Sequence, residues 1–556
     1  MKRRRFLGCA GAAATLSATG SAAALFDLLG PEARYRALVP ELFAHVPRPP
    51  SSVPVLIIGS GFGGSIAAYR LSQAGIPTTV LERGHRWPVD RFREIHPPDS
   101  APDGRSYWHR TSAPRLTLGT AHFDYFGGVL DVTEYEHISV SRAACVGGGS
   151  KVCTGVMVQP ERAYFDAIFG GLVDYDEMHA VYYPMVRRAL AFSSMPSDIY
   201  RSPSFRHSRI WDYQVAKAGY TPESVEGFWN WSVVRGEPLQ RSRPSATVGE
   251  SNHGNSNGAK FDLTQNYLKW AEESGHARVY AGMQVTGVSQ EADGRYLVEV
   301  EQLDPMGEVR DRFVVTCDCL VMAAGSIGTT ELLLKARELG ELPRLNEHVG
   351  EGWGSNGEVS ALRSFGSLPF DVRDLLDLGD LLQGMTQGSP CASSVLDTRH
   401  GMPVRMESWY VPLPLELTCI ASLCLGFDAS GRARFQYDRA ADEVSLSWPK
   451  SGNADVMAVV GALNERIADA AGAAVGIPLL GGAVDASFTG HPLGGVVLGK
   501  ATDAYGRVLG HPGLYVLDSA AIPGSTGAAN PALTISALAE RNMAELLQTD
   551  FARRLG

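Results

Sequence analysis

The strongest constraint on the fold lies around residue 59, where three patterns follow one another. Val53-Pro54-Val55-Leu56-Ile57-Ile58 is an apolar run of strand length, Gly59-Ser60-Gly61-Phe62-Gly63-Gly64 follows it, and residues 65–74 carry apolar side chains at helical spacing with Gly75 as a stop. A second run, Thr78-Thr79-Val80-Leu81, ends in Glu82, 18 positions beyond Gly64. Strand, tight turn, helix and strand make a βαβ unit, which calls for a parallel sheet covered by helices. The fold class is therefore expected to be α/β, with a Rossmann-like dinucleotide fold. The spacing Gly59-x-Gly61-x-x-Gly64 lets backbone approach a pyrophosphate at a helix N-terminus, while Glu82 can hold ribose hydroxyls. An acid at 82 favours FAD or NAD over NADP.

Two later pieces share this character. Residues 284–302 and 308–324 alternate like strands about an Asp293-Gly294 hairpin turn, and the run Cys319-Leu320-Val321-Met322-Ala323-Ala324 enters Gly325 and a helix expected over 329–339. Leu514-Tyr515-Val516-Leu517-Asp518 reads as another buried strand, and a last helix is expected over 531–547. Asn530-Pro531 opens it, a favoured cap followed by a favoured first helical residue. A chain of 556 residues is too long for one ordinary domain. Residues 53–92, 255–358 and 488–552 are expected to form a discontinuous nucleotide-binding domain, and the segments 93–254 and 359–487, richer in Trp, Tyr and Pro, an inserted α+β substrate domain. Residues 26–52, with five prolines, read as an arm or linker.

The first 25 residues start Met1-Lys2-Arg3-Arg4-Arg5-Phe6-Leu7, continue through an Ala/Gly-rich stretch and end in small residues. This is expected to be a twin-arginine export signal, the route of proteins that fold, often with a cofactor, before secretion. Cys9 lacks the apolar lead-in of a lipoprotein signal. With 50 basic against 60 acidic residues, a net charge of −10 and no basic half, nucleic acid is not an expected partner. Beyond the signal, Cys145, Cys153, Cys317, Cys319, Cys391, Cys419 and Cys424 are odd in number and sparse, so neither a disulfide framework nor a metal site is expected. Cys317 and Cys319, two apart in an apolar run, should share one face of a strand and serve packing.

Further motifs carry chemistry. Val146-Gly147-Gly148-Gly149-Ser150 suits a loop pressed flat against a ring system. Gly490-His491-Pro492-Leu493-Gly494-Gly495 holds a histidine between a glycine and a proline, and Asp518-Ser519-Ala520-Ala521-Ile522-Pro523 follows the last strand. The positive end of the helix opened by Asn530-Pro531 can stabilise an anionic reduced flavin ring. Oxidising an alcohol requires an acceptor for the hydroxyl proton and a group that holds the oxygen, and a neutral imidazole and an amide are residue types that supply them.

With these motifs, residues 55–84, 146–160, 320–334, 350–357, 491–510 and 514–542 resemble the glucose–methanol–choline (GMC) oxidoreductases and, within them, the bacterial FAD-containing cholesterol oxidases. The resemblance implies FAD held by Gly59, Gly61, Gly63, Gly64 and Glu82, by Gly147, Gly148, Gly149 and Ser150, and by Val285, Gly325, Asp518, Asn530 and Pro531. It implies His491 and Asn530 acting on the substrate hydroxyl, and Glu407, before the Pro412-Leu413-Pro414 turn, as a base for double-bond isomerisation. The implied reaction oxidises a secondary alcohol on a steroid or similarly bulky polycyclic or terpenoid substrate, with hydride passing to flavin and electrons to O2, giving H2O2. A monomer with transient contact to a membrane surface for substrate extraction is the expected state. Two alternatives stay open: a dehydrogenase using another acceptor, and a flavin-retaining steroid-binding or sensing protein without turnover. Cys153 stands where those oxidases usually carry Asn, Gly490 where Tyr is common and Ala532 where a large aromatic is typical, and the segment 527–530 is one residue longer. A reshaped cavity is expected from these departures.

Overall fold

Burial on both faces explains the unbroken apolar run after residue 51, which forms β1 (Ser52–Ile58) at the centre of a seven-stranded sheet. The computed structural model describes residues 30–114, 120–366, 387–411, 419–427, 433–475 and 487–554. The glycine turn leads into α1 (Phe62–Gln73) and then β2 (Thr78–Glu82), which pairs parallel with β1, Val55 facing Thr78. The sheet continues through β3 (Ala277–Ala281), β4 (Met283–Gln290), β5 (Tyr296–Leu303) and β6 (Val309–Met322) in the order β3-β2-β1-β6-β5-β4. Strand β6 is long because it serves two neighbours. Its first part runs antiparallel to β5 and its last part parallel to β1 and to the strand Leu514–Val516. Its burial changes accordingly, from alternation to a continuously buried end, and Cys317 and Cys319 lie buried on one face as free thiols.

Helix α1 starts at Phe62, three residues before its expected start, so Gly63 and Gly64 sit inside its first turn. Helix α2 (Gly325–Leu339) likewise begins at the glycine itself. A second sheet is antiparallel: β7 (Glu358–Ser364), β8 (Ser393–Asp397), β9 (Val404–Trp409) and β10 (Cys419–Gly426), ordered β7-β10-β9-β8. One face carries Ala361, Met406, Ile420 and Cys424 against Val456, Val460, Leu463 and Ile467 of α3 (Ala454–Ala471), and against Trp211 from the helix Arg206–Lys217. By strand alternation Glu358, Ser360, Leu423, Glu407 and Trp409 occupy the other face.

The reading of residues 26–52 as an arm or linker is corrected for the described part. Pro31–Leu38 is a helix and Pro40–Phe43 a 3₁₀ turn. Tyr35, fully buried, stacks on Phe126 at 4.1 Å, and its hydroxyl donates to Asp124. Prolines at helix starts, not in a loose tether, account for that composition. The export signal and the Pro412-Leu413-Pro414 turn lie outside the described residues. No helix among the described residues is long and apolar enough to cross a membrane.

Candidate active site

A cavity of about 1700 Å³ is walled by both sheets, with the glycine turns at one part of its lining and His491 and Asn530 at another. At the turns, backbone meets backbone. Gly59 has φ +99°, and a Cβ on it would stand 2.2 Å from the Ala323 carbonyl oxygen, so no other residue fits. Gly148, also left-handed, approaches so closely that its Cβ would come within 2.6 Å of the Gly61 Cα. Beside Gly61 itself the space is open, the nearest atom to a Cβ being Gly148 Cα at 4.0 Å. A narrow cradle that a side chain would fill, at the N-terminus of α1, suits a pyrophosphate.

Glu82 is buried at the end of β2, accepting from Ser60 N at 3.0 Å, Ser60 Oγ at 2.7 Å and Gly84 N at 3.0 Å, and desolvation pushes its carboxyl up. It lines the cavity, as do Gly63, Gly149, Val285, Gly325 and Pro531. Asp518 lines it too. Burial raises this carboxyl to about 6, although Thr329 Oγ1, Ala520 N and Gly325 N all donate to it, which ties the last strand to the start of α2. Gly64, Gly147 and Ser150 adjoin the cavity's glycine turns without lining it. Gly64 packs on Gly59, and Ser150 Oγ donates to Gly147 O at 2.7 Å and accepts from Leu263 N at 3.1 Å. They shape the loops because their polar groups are already satisfied within them.

The strand Ser487–Thr489 pairs parallel with Ile138–Ala143 and delivers His491 to the cavity, and reciprocal bonds between Leu493 and Gly354 bring the start of β7 alongside. There Glu358 Oε2 accepts from Thr489 Oγ1 at 2.9 Å and Gly490 N at 2.8 Å and lies 3.2 Å from His491 Nδ1. Nδ1 has no hydrogen bond of good geometry, so this contact is an electrostatic one. Asn530 caps α4 (Pro531–Leu546) by position, but its side chain makes no capping bond. The amide instead donates from Nδ2 to Glu407 Oε2 at 3.3 Å. Glu407 sits behind Asn530 and not on the cavity wall. Desolvation pushes its carboxyl up to about 7, against the lowering effects of the Asn530 bond and Arg405. Glu407 Oε1 and Asn530 Oδ1 are buried with no hydrogen-bond partner among the described residues.

Spacing gave no signal for several neighbours. Glu358 is one residue past the stretch that carries the family resemblance. Asn356, at φ +58°, donates to Ala529 O at 2.9 Å and accepts from Thr526 N at 2.9 Å, pinning the loop that presents Asn530. Asp99 takes the Tyr410 hydroxyl and the Asn252 backbone N–H, and Asn252 Nδ2 donates to Tyr410 Oη at 2.7 Å, forming a second polar group on the wall. Cys153, Gly490 and Ala532 also line the cavity. Among the described residues no cluster of three or more His, Cys, Asp or Glu side chains is poised for a metal.

Residues 481–539 match the GMC oxidoreductase family, and residues 57–113 match an NAD(P)-binding Rossmann-like domain. The chain is 28% identical to a cholesterol oxidase of Mycobacterium tuberculosis, across 88% of this chain and 90% of that one. It is 25% identical to a cholesterol oxidase of Acinetobacter baumannii, across 88% and 93%. In fold it is similar to pyridoxine 4-oxidase from Mesorbium loti, with TM-score 0.61, 17% identity and coverage of 89% and 99%. A fungal aryl-alcohol oxidase gives TM-score 0.58, 14% identity and coverage of 90% and 99%.

Proposed function

We propose that this chain, an FAD-binding protein similar to the GMC oxidoreductases and carrying their C-terminal domain, is an exported oxidase of a secondary alcohol on a steroid or similarly bulky polycyclic substrate. The observation that carries the reading is one cavity onto which the nucleotide cradle and the pair His491 and Asn530 both open. The cradle between Gly61 and Gly148, with Glu82 beside it, fits FAD. When bound, FAD supplies a hydride acceptor whose electrons pass to O2, so that alcohol and O2 become ketone and H2O2.

The chain's own residues handle the proton and the position. A neutral His491 accepts the hydroxyl proton as the C–O bond gains double-bond character. Asn530 holds the oxygen, and its bond to Glu407 fixes the amide plane at the cost of a buried carboxyl. Apolar lining from Leu362 and Leu423 gives a bulky hydrocarbon a surface to cover and excludes water. Glu407 stands behind Asn530 and off the cavity wall, so in this reading it acts through the amide and the isomerisation implied for it is not part of the proposal.

Anaerobic addition of a panel of sterols and ketosteroid precursors to the holoenzyme should bleach the flavin, and aerobic turnover should release peroxide. Ligand binding with an unchanged flavin spectrum would instead support a binding protein, and bleaching without peroxide a dehydrogenase. His491→Ala and Asn530→Ala are each expected to slow flavin reduction by about 100-fold or more with flavin still bound. Near-normal reduction in both would remove the assignment. Export is tested by fractionation of cells carrying Lys at positions 3 and 4, where the protein should stay in the cytoplasm.

A further inference from the structure

We propose that Glu358 is a positioning residue for His491: its carboxylate holds the imidazole proton on Nδ1 and so leaves Nε2 as the acceptor for the substrate hydroxyl. The inference rests on the alcohol-oxidase reading above and adds a residue to it.

Glu358 opens β7 on the cavity side of the antiparallel sheet and is only 5% exposed. A buried carboxylate is costly unless it is held, and this one is held on a single oxygen. Oε2 accepts from Thr489 Oγ1 and Gly490 N and faces His491 Nδ1 at 3.2 Å. His491 in turn is tethered by its backbone N–H, which donates to Thr489 Oγ1 at 2.9 Å. The acid and the imidazole therefore share one anchor, with Nδ1 and Oε2 already at hydrogen-bond distance. The space beside Gly490 is open, a Cβ there meeting nothing nearer than the two Glu358 oxygens at 4.0 Å.

A neutral imidazole carries one proton, and the nitrogen facing a carboxylate keeps it. With Nδ1–H directed at Glu358, Nε2 has a lone pair for the substrate. As the hydroxyl proton arrives at Nε2 the ring becomes a cation, and the carboxylate 3.2 Å away stabilises that charge without itself taking a proton. Two further charged groups on this sheet face belong to β9, while Glu134 and Arg142 line the same cavity from the strands beside Ser487–Thr489. Glu407 is bonded to Asn530, and Arg405 donates to Ala528 O and Ser394 Oγ and adjoins Glu407 on the strand. Glu358 also acts on Glu407, raising its carboxyl further. The two acids therefore divide the work, one turned to the imidazole and one to the amide.

Glu358→Gln is the test, because it keeps shape and removes charge. The expected result is flavin reduction slowed by about 10- to 100-fold with flavin content unchanged, and the acidic limb of the kcat/KM profile moved to lower pH, since an imidazole beside a neutral amide is a weaker base. Glu358→Asp should restore the limb. Gln and wild-type enzymes with the same rate and the same limb would overturn the proposal. A second measurement stands apart from both turnover and the folding of the variant. In wild-type holoenzyme labelled with ¹⁵N-histidine, the His491 ring should be the Nδ1-protonated tautomer at a pH where it is neutral. The Nε2-protonated form would overturn the proposal even in an active enzyme. If no alcohol reduces the wild-type flavin but the Nδ1 tautomer is found, the functional reading fails while the dyad stands.

Discussion

Two carboxyls, Glu358 and Glu407, lie on the same face of one sheet, yet their surroundings separate them. Glu358 has N–H and O–H donors aimed at it, whereas Glu407 has one amide and an orphaned oxygen, and desolvation lifts it to about 7. The sign of the linkage follows. A carboxyl whose folded value lies above the ordinary 4.5 binds its proton more tightly in the folded state, so its contribution to stability is full below about 4.5 and is lost as pH rises through about 7. At 1.36 kcal/mol per unit, the loss is roughly 3 kcal/mol. Thermal unfolding of wild type should therefore fall between about pH 5 and pH 8 by more than that of Glu407→Gln. Equal slopes for the two proteins would mean that Glu407 is ionised throughout. Glu407 entered the sequence reading through the family resemblance alone, and its place on a strand, β9, came with the fold. That its face is the dry one behind Asn530 depends on strands from distant parts of the chain, and Glu358 beside His491 is a contact across 133 positions that no local pattern announces.

At the scale of elements, two glycines of one turn, Gly59 and Gly61, do different things although the spacing treats them alike. The turn at Gly59 is closed by the Ala323 carbonyl, so Gly59→Val should prevent folding of the β1-α1-β2 unit instead of merely blocking a ligand. Gly61 has an ordinary φ and open space beside it. Gly61→Val should therefore fold, with an apoprotein melting temperature close to wild type, and weaken FAD retention by about tenfold or more, since losing the close backbone approach forfeits more than 1.4 kcal/mol. The flavin-to-protein ratio after gel filtration measures this, and a wild-type ratio would place the pyrophosphate elsewhere. The strands β1, β2 and β4 to β6 and the helices α1, α2 and α4 were legible because their apolar periods match their burial, whereas β3, β7 to β10 and α3 were not read. Helix starts were less so: Gly63, Gly64 and Gly325 read as turn residues, but packing places them inside first turns.

Across the whole molecule, the segment before β1 is part of the body. Tyr35 is buried against Phe126, accepts from Gly104 N and donates to Asp124, so it ties residues 31–38 to loops about 70 and 90 positions later. Tyr35→Ala should cost about 3–5 kcal/mol of stability, read as a drop in denaturant midpoint, and a loss under 1 kcal/mol would return the segment to a tether. By itself the sequence determined the nucleotide fold and the cofactor class, because a strand, a glycine turn and a helix are local features written in consecutive residues, and it offered His491 and Asn530 as candidates through the family resemblance. Only the tertiary structure decided what stands behind those groups. Glu358 against the imidazole, Glu407 against the amide and Asn356 under the Asn530 loop are brought together by sheet pairing and burial, and the raised proton affinity of Glu407 depends on groups far apart in the chain.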